Sequence, residues 1–295
     1  MTAHRKMLVF VCSLIASAGC QEPRAALDLP PLEPRIAPAA PPVRPAEPRI
    51  SRPPVVAPRR PQFVQALPAG RSVQGRPVNA TAIGSGDQCV MFIGGIHGNE
   101  PAGVGLCQQL AAYLGAHDEL VYGLKVIIVP AANPDGLAAA TRGNAHGVDI
   151  NRNFATCNYT ASAVHGGQAM SQPEAQYLRE LIDRYRPMRI ITIHQPLACI
   201  DYDGPAQALA AAVARASGLP VKKLGARPGS LGSYAGVENG IAVVTVELPN
   251  GASNLTAAQV WARYGGAMMA AVNHQGSTTT VNHRGSATTL DNVGK

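Results

Sequence analysis

The stretch that decides the fold is "CVMFIGGIHGNEPAGVGLCQQLAAYLG", residues 89–115. It begins with a short, continuously apolar run, which is typical of a strand buried on both faces of a sheet. A proline at position 101 then opens a longer run and is expected in the first turn of a helix. The segment therefore predicts a strand, a tight turn and a helix. The turn itself, with His97 and Glu100 three residues apart, is either half of a metal site or a polar loop.

The same alternation continues along the chain and predicts an α/β layered domain over residues 63–274, with helices on both faces of the sheet. We predict a hairpin at 72–84, further buried strands at 124–130, 188–194 and 241–248, helices at 173–186, 205–218 and 256–272, and a long loop at 131–172.

The two ends of the chain differ from this domain. Residues 1–20 combine a basic start, a short apolar run and small residues, the pattern of a secretory signal. Cleavage after Ala16-Ser17-Ala18 is one interpretation, and a lipobox ending at an acylated Cys20 is the other, which we favour. Residues 21–62 are rich in proline and predict an extended, disordered linker, and residues 275–295 predict a disordered tail. We therefore expect an exported, periplasmic protein that is anchored to the membrane through Cys20.

The net charge of +7 is concentrated outside the predicted domain. Residues 1–62 carry nine Lys and Arg against four Asp and Glu, and the remainder carries sixteen against fourteen. This distribution lacks the basic patch that phosphate binding requires, so we predict no nucleic-acid partner. Nothing in the sequence indicates the oligomeric state.

Four cysteines follow the predicted signal: Cys89, Cys107, Cys157 and Cys199. An exported chain permits disulfides, and four cysteines allow three pairings. Pairing of Cys157 with Cys199 and buried free thiols are both open interpretations.

Polar side chains collect where the predicted strands end, which is where open α/β sheets bind ligands. His97 and Glu100 follow the first buried strand, His194 ends the third, and Glu247 lies near the end of the fourth. Another segment of this kind, residues 133–136, follows the second strand. Two imidazoles and a carboxylate form a suitable zinc site with a position left for water. We predict His97, Glu100 and His194 as ligands of one zinc ion, and Glu247 as a general base that acts on water.

The loop "TRGNAHGVDINRNF" adds Arg142, Asn151 and Arg152, which suit a substrate carboxylate or an oxyanion. Taken together, these motifs resemble the M14 family of zinc metallocarboxypeptidases. The segments "IHQPLACID", "RPGSLGSYAG" and "TVELP" are similar to its bacterial murein-peptide amidase branch, which cuts between γ-D-glutamate and meso-diaminopimelate. The resemblance covers about residues 71–272.

The resemblance implies an α/β/α sandwich around a mixed, roughly eight-stranded sheet, with zinc held by the same three ligands. It makes Glu247 the general base and Arg142 the oxyanion contact. It also implies that Asn151 and Arg152 hold the substrate carboxylate, that Asp201 meets a substrate amino group, and that Tyr234 is a candidate for the tyrosine that closes over substrate. The chain departs from the branch at Gln195, Ala155, Arg227 and Gln172, where alanine, proline, threonine and glutamate are common.

We therefore predict a zinc-dependent amidase acting on peptidoglycan-derived peptides. The alternatives are a carboxypeptidase for ordinary peptides, a deacylase for small N-acyl amino acids, and a non-catalytic cell-wall-binding lipoprotein whose metal is structural.

Overall fold

The computed structural model describes residues 64–275. The predicted signal, the predicted linker and all but the first residue of the predicted tail lie outside the described residues, and the domain boundaries stay a prediction. Within the described range, no helix is both long and apolar enough to cross a membrane.

The described chain forms nine strands and five α-helices, joined by short 3₁₀ turns and one π-helical segment at Gly232–Glu238. The strands are β1 (Val64–Ala66), β2 (Gly70–Arg71), β3 (Pro77–Val78), β4 (Thr81–Ile83), β5 (Gln88–Ile93), β6 (Leu124–Val129), β7 (Arg189–His194), β8 (Leu197–Asp203) and β9 (Ala242–Pro249). The helices are α1 (Ala102–Ala116), α2 (Pro134–Ala139), α3 (Pro173–Tyr185), α4 (Gln207–Ser217) and α5 (Ala257–Val272).

Seven of these strands form one mixed sheet in the order β1-β4-β6-β5-β7-β9-β8, and β2 pairs with β3 in a separate hairpin. The central strands β6, β5, β7 and β9 are parallel, while β4 and β8 flank them in antiparallel orientation. The predicted mixed α/β sandwich is confirmed, with seven strands in the main sheet of the described chain rather than eight. The prediction missed β8, and it missed α2 inside the predicted loop.

The sheet separates two apolar cores, because alternate residues of each strand face opposite sides. In β5, Val90 and Phe92 face the core built with α1, α4 and α5. Met91 and Ile93 face the other core, which α3 covers. Both faces are therefore buried, which explains the continuously apolar strands.

All four cysteines of the described range are free thiols, so the Cys157–Cys199 pairing is wrong. Cys199 is buried in β8, whereas Cys157 is exposed in a loop whose backbone is bound by Glu238. The burial of one thiol inside the sheet and the exposure of the other keep them apart.

Candidate metal centre

His97, Glu100 and His194 come together at the carboxyl ends of neighbouring parallel strands. His97 and Glu100 lie between β5 and α1, and His194 is the last residue of β7, the strand next to β5. His97 Nδ1 lies 2.9 Å from Glu100 Oε1 and 3.1 Å from His194 Nδ1, which in turn lies 3.0 Å from Glu100 Oε2. The three side chains are 3–6% exposed, so two imidazoles and one carboxylate converge in a space that is shielded from solvent.

The glycines of the turn allow this convergence because neighbouring backbone approaches them closely. A Cβ at Gly98 would lie 1.9 Å from the carbonyl carbon of Gly136 in α2. Gly95 adopts a φ of +59°, which side chains rarely accept. The turn can therefore bend sharply against α2 and aim both His97 and Glu100 at one point.

Asp149 orients the His97 ring from behind. Its Oδ1 lies 3.0 Å from His97 Nε2 and holds a proton on that nitrogen, so a neutral His97 that binds zinc would present the lone pair of Nδ1 to the ion. A carboxylate on the far nitrogen is the usual partner of a histidine that binds metal. The sequence prediction quoted Asp149 within its motif but gave it no role, although a ligand histidine needs such an acceptor.

This donor set fits zinc. Tetrahedral zinc with metal–nitrogen distances near 2 Å spaces its ligand atoms by roughly 3.3 Å, and the three ligand atoms here lie within 4.8 Å of one another. On the far side of the other ring, His194 Nε2 is buried and has no hydrogen-bond partner within residues 64–275. The orientation of His194 is therefore set from the ligand side alone.

The charged and hydrogen-bonding groups of the metal centre favour the ionised form of its carboxyl groups. Burial opposes ionisation of Glu100, but hydrogen bonds from His194 and His97 outweigh it and lower the pKa of Glu100 to about 2. Burial likewise opposes protonation of His97, yet the adjoining Asp149 and Glu100 raise its pKa. The pKa of Asp149 is held well below its usual range because His97, Arg142 and Arg152 together exceed the opposing effect of burial.

Arg142 reaches the centre from the loop after α2. Its Nε donates to Asp149 Oδ2 at 3.0 Å and its Nη1 to Glu100 Oε1 at 3.2 Å. Its side chain is 47% exposed, and Nη2 has no hydrogen-bond partner within the described residues. One edge of the guanidinium is thus held by the centre while its remaining nitrogen stays available to a ligand.

Glu247 stands beside the centre on β9, where it pairs in register with His194 of β7. Its Oε2 accepts a hydrogen bond of 3.4 Å from the backbone of Leu197. Burial raises the pKa of Glu247, and the nearby His194 only partly offsets that effect. The carboxyl group is therefore a better proton acceptor than an exposed glutamate.

A pocket of about 210 Å³ lies next to the centre: it is lined by Thr192, which precedes His194 on β7, and by Leu197, whose backbone donates to Glu247. Asn151, Arg152 and Asp201 line it, as does Asp203, which sequence reasoning missed. Burial raises the pKa of Asp203 despite the nearby Lys223. The pocket thus places cationic and anionic side chains around one space.

Other predicted candidates serve the scaffold instead. Asn133 caps α2 by accepting from the Gly136 N–H at 2.8 Å, and Asp135 accepts hydrogen bonds from the β2–β3 hairpin. The Tyr234 hydroxyl donates to Asp183 on α3 at 3.0 Å, so this tyrosine does not close over the centre. The strand-end position of residues 133–136 reflects hairpin packing rather than ligand binding.

A family model described as zinc carboxypeptidase matches residues 55–208, which include all three predicted ligands. The chain belongs to the zinc carboxypeptidase family. The protein is therefore a hydrolase of this metallopeptidase family, and its described residues contain one zinc site, formed by His97, Glu100 and His194. Glu247 lies beyond the matched residues, and its assignment depends on its position beside His194.

Similar proteins include murein peptide amidase A of Escherichia coli (strain K12). It is 31% identical over 203 residues, which span 61% of this chain and 79% of that protein. The crystal structure of a murein-tripeptide amidase from Escherichia coli O157 matches with a TM-score of 0.57 and 28% identity, covering 72% of this chain and 92% of that one. Carboxypeptidase A from Helicoverpa armigera, at 22% identity, has the same fold with a TM-score of 0.59 and coverage of 72% and 69%.

Proposed function

We propose that this protein is a zinc-dependent amidase that cleaves peptidoglycan-derived peptides at a γ-D-glutamyl–meso-diaminopimelate type of bond. The observation that carries the proposal is the pocket beside the metal centre, which has guanidinium groups and carboxylates on its walls. Diaminopimelate carries both charges, so it suits this pocket better than an apolar residue. The names of the murein peptide relatives support the same substrate class.

In this mechanism, a bound zinc supplies a Lewis acid that lowers the pKa of water and polarises the scissile carbonyl. Glu247 accepts a proton from the attacking water on its carboxylate and then donates it to the leaving amine. The raised pKa of Glu247 suits both steps, because the group must bind a proton and release it. Arg142 offers Nη2 to the oxygen on which negative charge develops.

Asn151 and Arg152 hold the free carboxylate of the substrate in this proposal. Arg152 Nη1 donates to the Asn151 carbonyl at 2.6 Å, which keeps the two residues in one turn. Asp201 meets the substrate amino group. Its Oδ1 accepts from the Leu224 N–H at 2.8 Å, and its second oxygen has no hydrogen-bond partner within the described residues.

The test is turnover of defined muropeptides by the zinc-loaded protein, followed by mass spectrometry of the products. We expect cleavage that stops on adding a chelator and returns with zinc. Glu247→Gln removes the base, so turnover should fall by about 10²- to 10⁴-fold while bound zinc is retained. Glu180→Gln, the same change at an exposed position of α3, is the matched control. Chelator-insensitive cleavage, or no cleavage with zinc present, contradicts the proposal.

A second candidate is a carboxypeptidase for ordinary peptides, which the Asn151–Arg152 turn favours because it suits any terminal carboxylate. Comparing γ-D-glutamyl-diaminopimelate peptides with α-linked peptides separates the two. A preference for the α-linked series would select the carboxypeptidase.

We also propose that the protein is exported to the periplasm and anchored through acylated Cys20, on the strength of the signal-like residues 1–20. Membrane fractionation tests this, with Cys20→Ala expected to release the protein. Release of the unaltered protein would favour cleavage at the alternative site.

A further inference from the structure

A second arginine, Arg227, lines the same pocket as Asn151 and Arg152. Its backbone is bound within its own turn, but its guanidinium makes no hydrogen bond or ion pair with any other residue in the range 64–275. Arg227 is also exposed to solvent. The guanidinium of Arg227 is therefore available to donate hydrogen bonds to a ligand in the pocket.

The backbone around Arg227 is held firmly. Its carbonyl accepts from Ser230 N at 3.0 Å and from Ser233 Oγ at 2.7 Å. Two further bonds fasten the same loop to the turn that carries Arg152: Leu231 N to Asn151 Oδ1 at 2.9 Å, and Phe154 N to Gly229 O at 2.9 Å. Arg227 is thus kept beside Arg152 by structure that does not depend on ligand.

Cationic charge exceeds anionic charge on this side of the pocket. Burial lowers the pKa of Arg152, and Arg142 and Arg227 lower it further by repulsion, with Asp149 opposing them. Asp149 is already engaged by His97 and Arg142. In the proposed function the terminal carboxylate of the substrate takes the fork of Arg152, which leaves the fork of Arg227 without a partner among the described residues.

The acids of the pocket lie on β8, the edge strand. Asp203 lies 3.4 Å from Lys223, so Asp201 is the acid that remains for a substrate ammonium. Thr192 and Thr245 also line the pocket and share a hydrogen bond of 3.1 Å. A ligand that fills this space meets donors and acceptors together.

We propose that Arg227 binds a second carboxylate, located at the far end of the substrate side chain, and so selects residues that carry both an ammonium and a carboxylate there. Asp201 takes that ammonium and Arg227 takes that carboxylate, while Asn151 and Arg152 keep the carboxylate next to the scissile bond. The inference rests on the proposed function and adds a specificity-determining residue to it.

Calorimetric titration of the zinc-loaded protein with meso-diaminopimelate and with L-lysine tests this, because lysine lacks only the second carboxylate. We expect the unaltered protein to bind diaminopimelate at least about ten-fold more tightly, the scale of one hydrogen-bonded charge contact. Arg227→Thr should abolish most of that difference, and Arg227→Lys should retain part of it. Arg215→Thr, the same change at an exposed site on α4, should leave the difference intact.

Turnover provides the second measurement. The ratio of kcat/KM for a peptide with free diaminopimelate over one with its side-chain carboxylate amidated should fall about ten-fold in Arg227→Thr. If Arg227→Thr weakens the binding of lysine and of diaminopimelate equally, Arg227 contacts the first carboxylate and the inference is overturned. An unchanged kcat/KM ratio would also overturn it. If titration shows the Arg227-dependent difference but no muropeptide is cleaved, the proposed function fails and the inference about Arg227 stands.

Discussion

Replacing Asp149 should weaken zinc binding without any loss of a ligand. The carboxylate is buried and binds three groups: His97 Nε2 at 3.0 Å, Arg142 Nε at 3.0 Å and the Asn151 N–H at 2.9 Å. Alanine removes the acceptor that fixes the tautomer of His97. We therefore expect the affinity for zinc to fall by about a hundred-fold, which corresponds to about 2.8 kcal/mol of binding free energy. Asparagine keeps one acceptor oxygen but loses the charge, so we expect zinc binding to weaken by about ten-fold.

The assay is competition for zinc against a chromophoric chelator, with thermal unfolding measured in parallel without metal. The parallel measurement is needed because Asp149 also caps the turn at Ile150–Arg152, and loss of a cap costs about 1 kcal/mol. Asp87→Asn, an exposed acid in the turn before β5, is the matched control. Zinc affinity that is unchanged in both Asp149 variants would refute the assignment of Asp149 as the residue that orients His97.

Three further predictions test the scaffold. Gly98→Ala places a methyl group against α2 backbone and should abolish folding or zinc binding, whereas Gly167→Ala meets no atom within 4 Å and should be tolerated; equal stability of the two on thermal unfolding would contradict this. Burial raises the pKa of Asp135, but three hydrogen bonds and a neighbouring cation outweigh it, so the pKa is lowered. The contribution of Asp135 to the free energy of unfolding should therefore be present above its unfolded pKa of about 3.9 and be lost as pH falls through the folded value. Asp135→Asn should therefore destabilise by about 1–3 kcal/mol at pH 7, and denaturant titrations should show this difference shrinking in acid; a pH-independent difference would contradict it. Cys157 should react with iodoacetamide at pH 8 in the native protein, whereas burial raises the pKa of Cys89 to about 11 and should protect it, as peptide mapping can check; labelling of Cys89 at the same rate would contradict its burial.

The parallel half of the sheet could be predicted because each of its strands is a local, continuously apolar run. The signal is strong there, since burial on both faces leaves the strand interiors almost entirely apolar, with Thr192 and Thr245 as exceptions. The strand β8 carries no such signal. Its sequence mixes Asp201 and Asp203 with apolar residues, and its strand character depends on antiparallel pairing with β9, some forty residues later in the chain.

The zinc ligands could be predicted for a related reason. His97, Glu100 and His194 occupy strand ends, and the topology of a parallel sheet brings those ends to one edge. The role of Asp149 could not be assigned in the same way, because it lies in a long loop whose path depends on packing. Only the folded loop shows that Asp149, rather than a neighbouring polar residue, reaches the back of His97.

The sequence by itself determined the parallel half of the sheet, the four long helices that cover it and the three residues at its metal edge, because those features follow from local periodicity and strand direction. Tertiary structure decided which loop residues serve the site and which serve the scaffold. Asp135 was turned toward the hairpin, Asp149 toward His97, and Arg227 toward the pocket beside Arg152. Those directions depend on contacts between segments far apart in the chain, and no local pattern encodes them.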